Sequence, residues 1–191
     1  MLISRFFTIF YLVMCLSSPI VVLAIEKSSP YKTIEWTDLM PKADLLALME
    51  PPEELNNIED GSLDDQLSSQ VFNALSLAGD SRYQQALVST NVRSEYNQQK
   101  IRIAGFVVPI TAEGQMVTEF FLVPYYGACI HVPPPPPNQL IFSQFSKSIK
   151  IDDIYYPYWV EGTLSTTLTE NDLAISAYSL NIDNMSKYTE E

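Results

Sequence analysis

Two hydrophobic periodicities divide the chain. From Lys100 onward apolar residues recur at every second position, first Ile101 and Ile103, then Phe106, Val108 and Ile110 in the opposite phase. That alternation is the mark of strands with one face buried. Gly105 stands at the change of phase and predicts a β-bulge in a strongly curved strand. Thr111 to Gln115 reads as a hairpin loop and Met116 to Val123 as the return strand. Phe120-Phe121-Leu122-Val123 is apolar on both faces, which predicts burial on both sides. Further strands are expected from Leu140 to Phe145, from Tyr158 to Thr166, and where Tyr178, Leu180 and Ile182 share a face. Five short antiparallel strands with two glycine bends predict a mainly β (α+β) fold, a small five-stranded OB-like barrel. An open α+β sandwich is the second arrangement the pattern allows.

Before Lys100 the pattern is helical or irregular. Lys42 to Met49 has helical composition, and Pro51-Pro52 ends it. Glu50 to Asp65 is acidic and turn-rich, a solvated connector. Leu63, Leu67, Val71, Leu75 and Ala78 then form one apolar stripe, with Ser62 as N-cap and Gly79 as the left-handed stop. Its polar face lacks the Lys and Arg of a membrane-surface helix, so the stripe is expected to pack on a sheet. The chain thus divides into residues 1–24, an N-terminal extension over 25–99 packing on the barrel, a β domain over 100–185, and a tail over 186–191.

Residues 1–24 place a single charge, Arg5, before the apolar run Phe6 to Leu16, and end in Val22-Leu23-Ala24. This is the layout of a secretory signal peptide cleaved after Ala24, which predicts a periplasmic protein with no membrane span once processed. A retained anchor is the weaker reading, because Ser17-Ser18-Pro19 interrupts the apolar stretch. Lipidation of Cys15 is weaker too, with bulky Met14 just before it. The 11 Lys and Arg against 23 Asp and Glu give a net charge of −12. Cleavage would remove Arg5 and no acid. Such a chain lacks the basic footprint that nucleic acid requires.

Cleavage would also leave Cys129 as the sole cysteine, unable to form an internal disulfide. It sits two residues from His131, the one histidine, in the connection Tyr125 to Gln139, which includes five consecutive prolines, Pro133 to Pro137. Proline cannot continue a sheet ladder, so a stiff non-sheet connection is expected over one end of the barrel. Three readings compete. In an extended segment Cys129 and His131 point to one side and could bind Zn²⁺ or Cu⁺, with carboxylates, water or a second chain completing the sphere. Cys129 could instead be a nucleophile or redox thiol stabilised by His131, although no orienting acid or oxyanion nest accompanies it. In the third, the thiol is a small buried hydrophobe and the loop serves structure or recognition. No catalytic residue is assigned. Tyr125, Tyr126, Pro133, Pro134, Pro135, Asn138 and Gln139 are the expected partner-binding positions for an envelope protein. Tyr155, Tyr156, Tyr158 and Trp159 could line the same groove, while Asp152 and Asp153 read as a solvated turn.

Ile101 to Pro109, Glu119 to Pro133 and on through Gln139, with the early Trp36-Thr37-Asp38-Leu39-Met40-Pro41, resemble DUF3299, a family of exported proteobacterial proteins of unknown function. The run Gly127-Ala128-Cys129-Ile130-His131-Val132 followed by the prolines and Asn138-Gln139 is long and specific. The family's usual Gly-Lys before the first strand is Gln99-Lys100 here. The resemblance implies an envelope location and a Gram-negative source, and favours metal handling or a role accessory to an envelope transporter. It carries no catalytic residue.

Overall fold

The structure, a computed structural model, describes residues 29–50, 81–127 and 135–189. The predicted signal peptide, the stripe from Leu63 to Ala78, and Cys129, His131, Pro133 and Pro134 lie outside the described residues. No helix among the described residues is long and apolar enough to cross a membrane.

Five strands close the barrel: β2 (Gln99–Glu113), β3 (Met116–Val123), β4 (Ile141–Lys150), β5 (Tyr158–Ser165) and β8 (Tyr178–Lys187). Their order is β2-β3-β4-β8-β5, and β5 pairs back onto β2. The expected OB-like barrel is therefore present. Four of its seams are antiparallel, but β4 and β8 run parallel, so the expectation of antiparallel pairing throughout fails at that seam. Between β5 and β8 lies a short hairpin, β6 (Thr169–Glu170) and β7 (Ile175–Ser176), which the sequence pattern did not reveal. Ile101, Ile103, Phe120, Leu122, Ile141, Val160, Leu164, Tyr178 and Leu180 fill the interior. Burying each such side chain is worth about 1.5–3 kcal/mol relative to exposure.

The phase change at Gly105 has a different cause from the one expected. Odd positions Ile101, Ile103, Gly105 and Val107 stay buried in unbroken alternation. Phe106, Val108 and Ile110 join a second, outer cluster around Phe121, Val123 and Leu140. Strand β2 also changes partner here, pairing with β5 up to Gly105 and with β3 from Phe106. A Cβ on Gly105 would lie 2.8 Å from Leu122 Cγ, so glycine permits the close approach of β3 rather than a bulge. The irregularities of β2 fall instead between Pro109 and Ala112. Both strands continue to a tight turn at Gly114-Gln115, with Gly114 at φ +63°, so the loop is shorter than predicted. Gly162 coincides with a true register shift against β8, where a Cβ would meet Asn181 O at 2.3 Å.

The described part of the N-terminal extension covers the edge of β2 before β3 begins. β1 (Lys32–Thr33) pairs in parallel with Ile101 and Arg102. Ile34 N donates to Arg102 O at 3.0 Å, and Trp36 Nε1 donates to Ala104 O at 2.7 Å. A 3₁₀ turn over Trp36–Leu39 leads to α1 (Lys42–Met49), the helix expected from its composition. A second helix, α2 (Arg82–Leu87), starts at a capping box in which Ser81 and Gln84 exchange side-chain and backbone bonds. The contacts between α1 and α2, and the bonds of both regions to the barrel, make the described residues one packed unit.

Candidate functional site

The Tyr125–Gln139 connection leaves β3 and returns to β4. Its two ends have opposite character. The departing end is aromatic and open: Tyr125 and Tyr126 are exposed, as are Ile154, Tyr155 and Tyr156 on the loop after β4. Tyr155 and Tyr156 keep 63% and 64% of their surface in solvent. The Tyr126 ring lies 5.0 Å from that of Tyr155 and 6.3 Å from that of Phe106. Beside it opens a cleft of about 190 Å³ lined by Phe106, Val108, Pro109, Val123, Tyr126 and Ile154, with Gly127 at its edge. Partial desolvation, a hydrogen bond with Tyr155 and the charges of Tyr155 and Asp153 all push the Tyr126 phenol above its ordinary range. The phenol is therefore a neutral hydrogen-bonding tip on an apolar wall.

The returning end is closed and polar. Asn138 is fully buried and Gln139 nearly so. Asn138 Nδ2 donates to Asp44 Oδ2 at 3.0 Å and to Asn91 O at 3.1 Å. Gln139 Nε2 donates to Trp36 O at 2.8 Å and to Asn138 O at 3.1 Å. Ser89 Oγ reaches the same Asp44 oxygen at 2.5 Å. Pro135 and Pro136 are buried as well, and Pro137 O accepts from Ala177 N at 2.8 Å. Asn138 and Gln139, expected to contact a partner, instead spend their amides inside the chain, because a buried amide must find internal partners. The same burial withdraws Pro135 from the expected surface.

The remaining candidates separate. Tyr158 turns inward, its hydroxyl donating to Asp153 O at 3.1 Å. Trp159 stacks on Tyr188 at 5.1 Å, with the Arg102 guanidinium 4.0 Å from its ring centre. Neither lines the cleft. Asp152 pairs with Lys150 at 2.7 Å and with Lys187 at 3.6 Å, and the Lys150 hydrogen bond lowers its pKa. Asp153 Oδ1 accepts from Tyr155 N at 2.8 Å, fixing the turn that presents Tyr155. Among the described residues no group of three or more His, Cys, Asp or Glu side chains is placed to hold a metal ion. Sequence reasoning missed Phe106 and Ile154 as cleft walls and Asp44 and Trp36 as loop anchors. Trp36 stood in a noted motif, but its partner lies 103 residues away.

The family profile described as "Protein of unknown function (DUF3299)" matches residues 36–187. A crystal structure of a DUF3299 family protein from Pseudomonas aeruginosa PAO1 is 32% identical, with a TM-score of 0.59. The match covers 85% of this chain and 99% of that one. No curated protein matches this chain.

Proposed function

Starting from a chain that belongs to the DUF3299 family, we propose that it is an exported, non-enzymatic binding protein of the Gram-negative envelope. It meets a protein partner through the aromatic end of the barrel, where the Tyr125–Gln139 connection leaves β3. One observation carries this reading: Tyr125, Tyr126, Ile154, Tyr155 and Tyr156 are exposed together beside an apolar cleft. Clustered exposed tyrosine supplies large, rigid contact area at small entropic cost and is characteristic of protein-binding surfaces. The net charge of −12 disfavours nucleic acid as the partner. Export is supported by the signal-peptide pattern of residues 1–24, and the envelope setting by the family resemblance.

Site-specific photocrosslinking in cells tests the reading. A photoreactive phenylalanine at Tyr156 should give a discrete protein adduct that weakens in Tyr126→Ala, while the same group at Asn184, exposed on β8, should give none. Equal adducts at both positions, or none at either, would overturn it. The metal-handling reading assigns Cys129 and His131 to Zn²⁺ or Cu⁺. Native mass spectrometry checks it separately: bound metal lost in both Cys129→Ala and His131→Ala, without a Tyr156 adduct, would replace the protein-binding reading.

A further inference from the structure

The helix α1 is attached in an unusual way. None of its residues is fully buried; Leu45, Ala47 and Leu48 are half-buried, while Leu39 and Met40, just before the helix, are buried. Its polar hold comes from Asp44, whose Oδ2 accepts from Ser89 and from Asn138. Eight residues before Asp44, in the 3₁₀ turn, Trp36 offers its carbonyl to Gln139 and its indole N–H to Ala104 of β2. Leu140, the next residue, is buried with Phe121 and Val123 in the outer cluster, against which Phe106 and Val108 pack. Phe106, Val108 and Val123 are three walls of the aromatic cleft. A continuous run of contacts therefore leads from Asp44 through Asn138, Gln139 and Leu140 to the cleft.

We infer that Asp44 on α1, through its bonds to Ser89 and Asn138, forms a polar latch that sets the shape of the aromatic cleft through Leu140. The inference rests on the cleft being the working surface, as proposed above, and gives it a means of control. Hydrogen bonds to a half-buried helix are individually weak and exchangeable with water, unlike the interior packing of the barrel. The Asn138 amide is also incompletely satisfied: both of its donors are engaged, but Oδ1 is buried without a hydrogen-bond partner among the described residues. That deficit lowers the cost of letting go. Whatever lifts α1 away frees Asn138 from Asp44, and Leu140, two residues on, then loses its fixed position against Val123. By linkage, an occupant of the cleft that favours the held arrangement tightens the latch in return.

The test needs no partner, so its result is independent of the crosslinking experiment. In the full chain, Asp44→Ala should speed amide hydrogen exchange at Gln139, Leu140 and Ala177 by roughly tenfold, the effect of losing one or two buried hydrogen bonds. The ¹³C ring signals of labelled Tyr126 and Tyr155 should shift in the same protein, while exchange at Val160 on the far side of the barrel stays unchanged. Asp44→Asn, which keeps an oxygen acceptor for Ser89 and Asn138, should restore both. Faster exchange at Leu140 with unmoved Tyr126 and Tyr155 signals would overturn the inference, since the latch would then act only on its own root. A rise at Val160 equal to that at Leu140, or no rescue by Asp44→Asn, would overturn it as well.

Discussion

The inside of the barrel and its aromatic rim use the same residue types for opposite ends. Tyr178 is fully buried, donating to Leu39 O at 2.8 Å and accepting from Arg93 N at 2.6 Å. Its ring fills the interior and its hydroxyl ties β8 to both N-terminal segments. Tyr155 and Tyr156 lie in solvent, with their rings adding little to the core. Stability is concentrated where burial is complete; the proposed binding surface lies where burial has been withheld. Substitutions can separate the two.

The largest effect is expected inside. Phe120→Ala removes a fully buried ring from the interior and should cost about 3–5 kcal/mol in denaturant unfolding, leaving a cavity the closed barrel cannot collapse. Gly162→Ala comes next, because the new methyl group would meet backbone rather than a movable side chain; a loss of about 1–3 kcal/mol is expected, read from the urea midpoint. A loss below a few tenths of a kcal/mol would mean that β5 and β8 can part more easily than their register suggests.

Tyr178→Phe keeps the ring and deletes the hydroxyl, and should cost about 1–3 kcal/mol by stranding Leu39 O and Arg93 N. The same residue gives a pH signature. Burial, opposed by the Arg93 N–H and aided by the Glu95 charge, pushes its pKa from 10.0 up to about 12. A raised folded-state pKa means the neutral phenol stabilises the fold fully below pH 10.0, and this contribution is lost as pH climbs toward about 12. The urea midpoint should fall across that window in the natural protein and fall less in Tyr178→Phe. The smallest effect belongs to the rim: Tyr155→Ala and Tyr156→Ala should change stability by no more than about 0.5 kcal/mol, while weakening crosslinking at the cleft. A rim substitution that unfolds the protein would erase the contrast.

How much of this was legible beforehand depended on distance along the chain. Alternation located all five barrel strands because burial of one strand face writes itself into neighbouring residues. Helix α1 was legible for the same reason, since composition over a few turns is local information. Gly105 was misread because a strand that acquires a second apolar face looks, in sequence, like one that slips by a residue. The candidate site was only half legible. Tyr125 and Tyr126 are exposed side by side in sequence, but Phe106 and Ile154 come from elements 19 and 28 residues away and carry no local mark. Asn138 and Gln139 look like surface amides beside prolines; only Asp44, Asn91 and Trp36 across the fold turn them inward.

Period-two patterning therefore determined a small barrel, because burial of one strand face acts through neighbouring residues. Which tyrosines face water, which amides are consumed internally and which strand pair runs parallel were decided only when distant segments packed. Those outcomes depend on hydrogen-bond partners and covering layers contributed from elsewhere in the chain, and no single stretch of sequence contains both halves of such a contact.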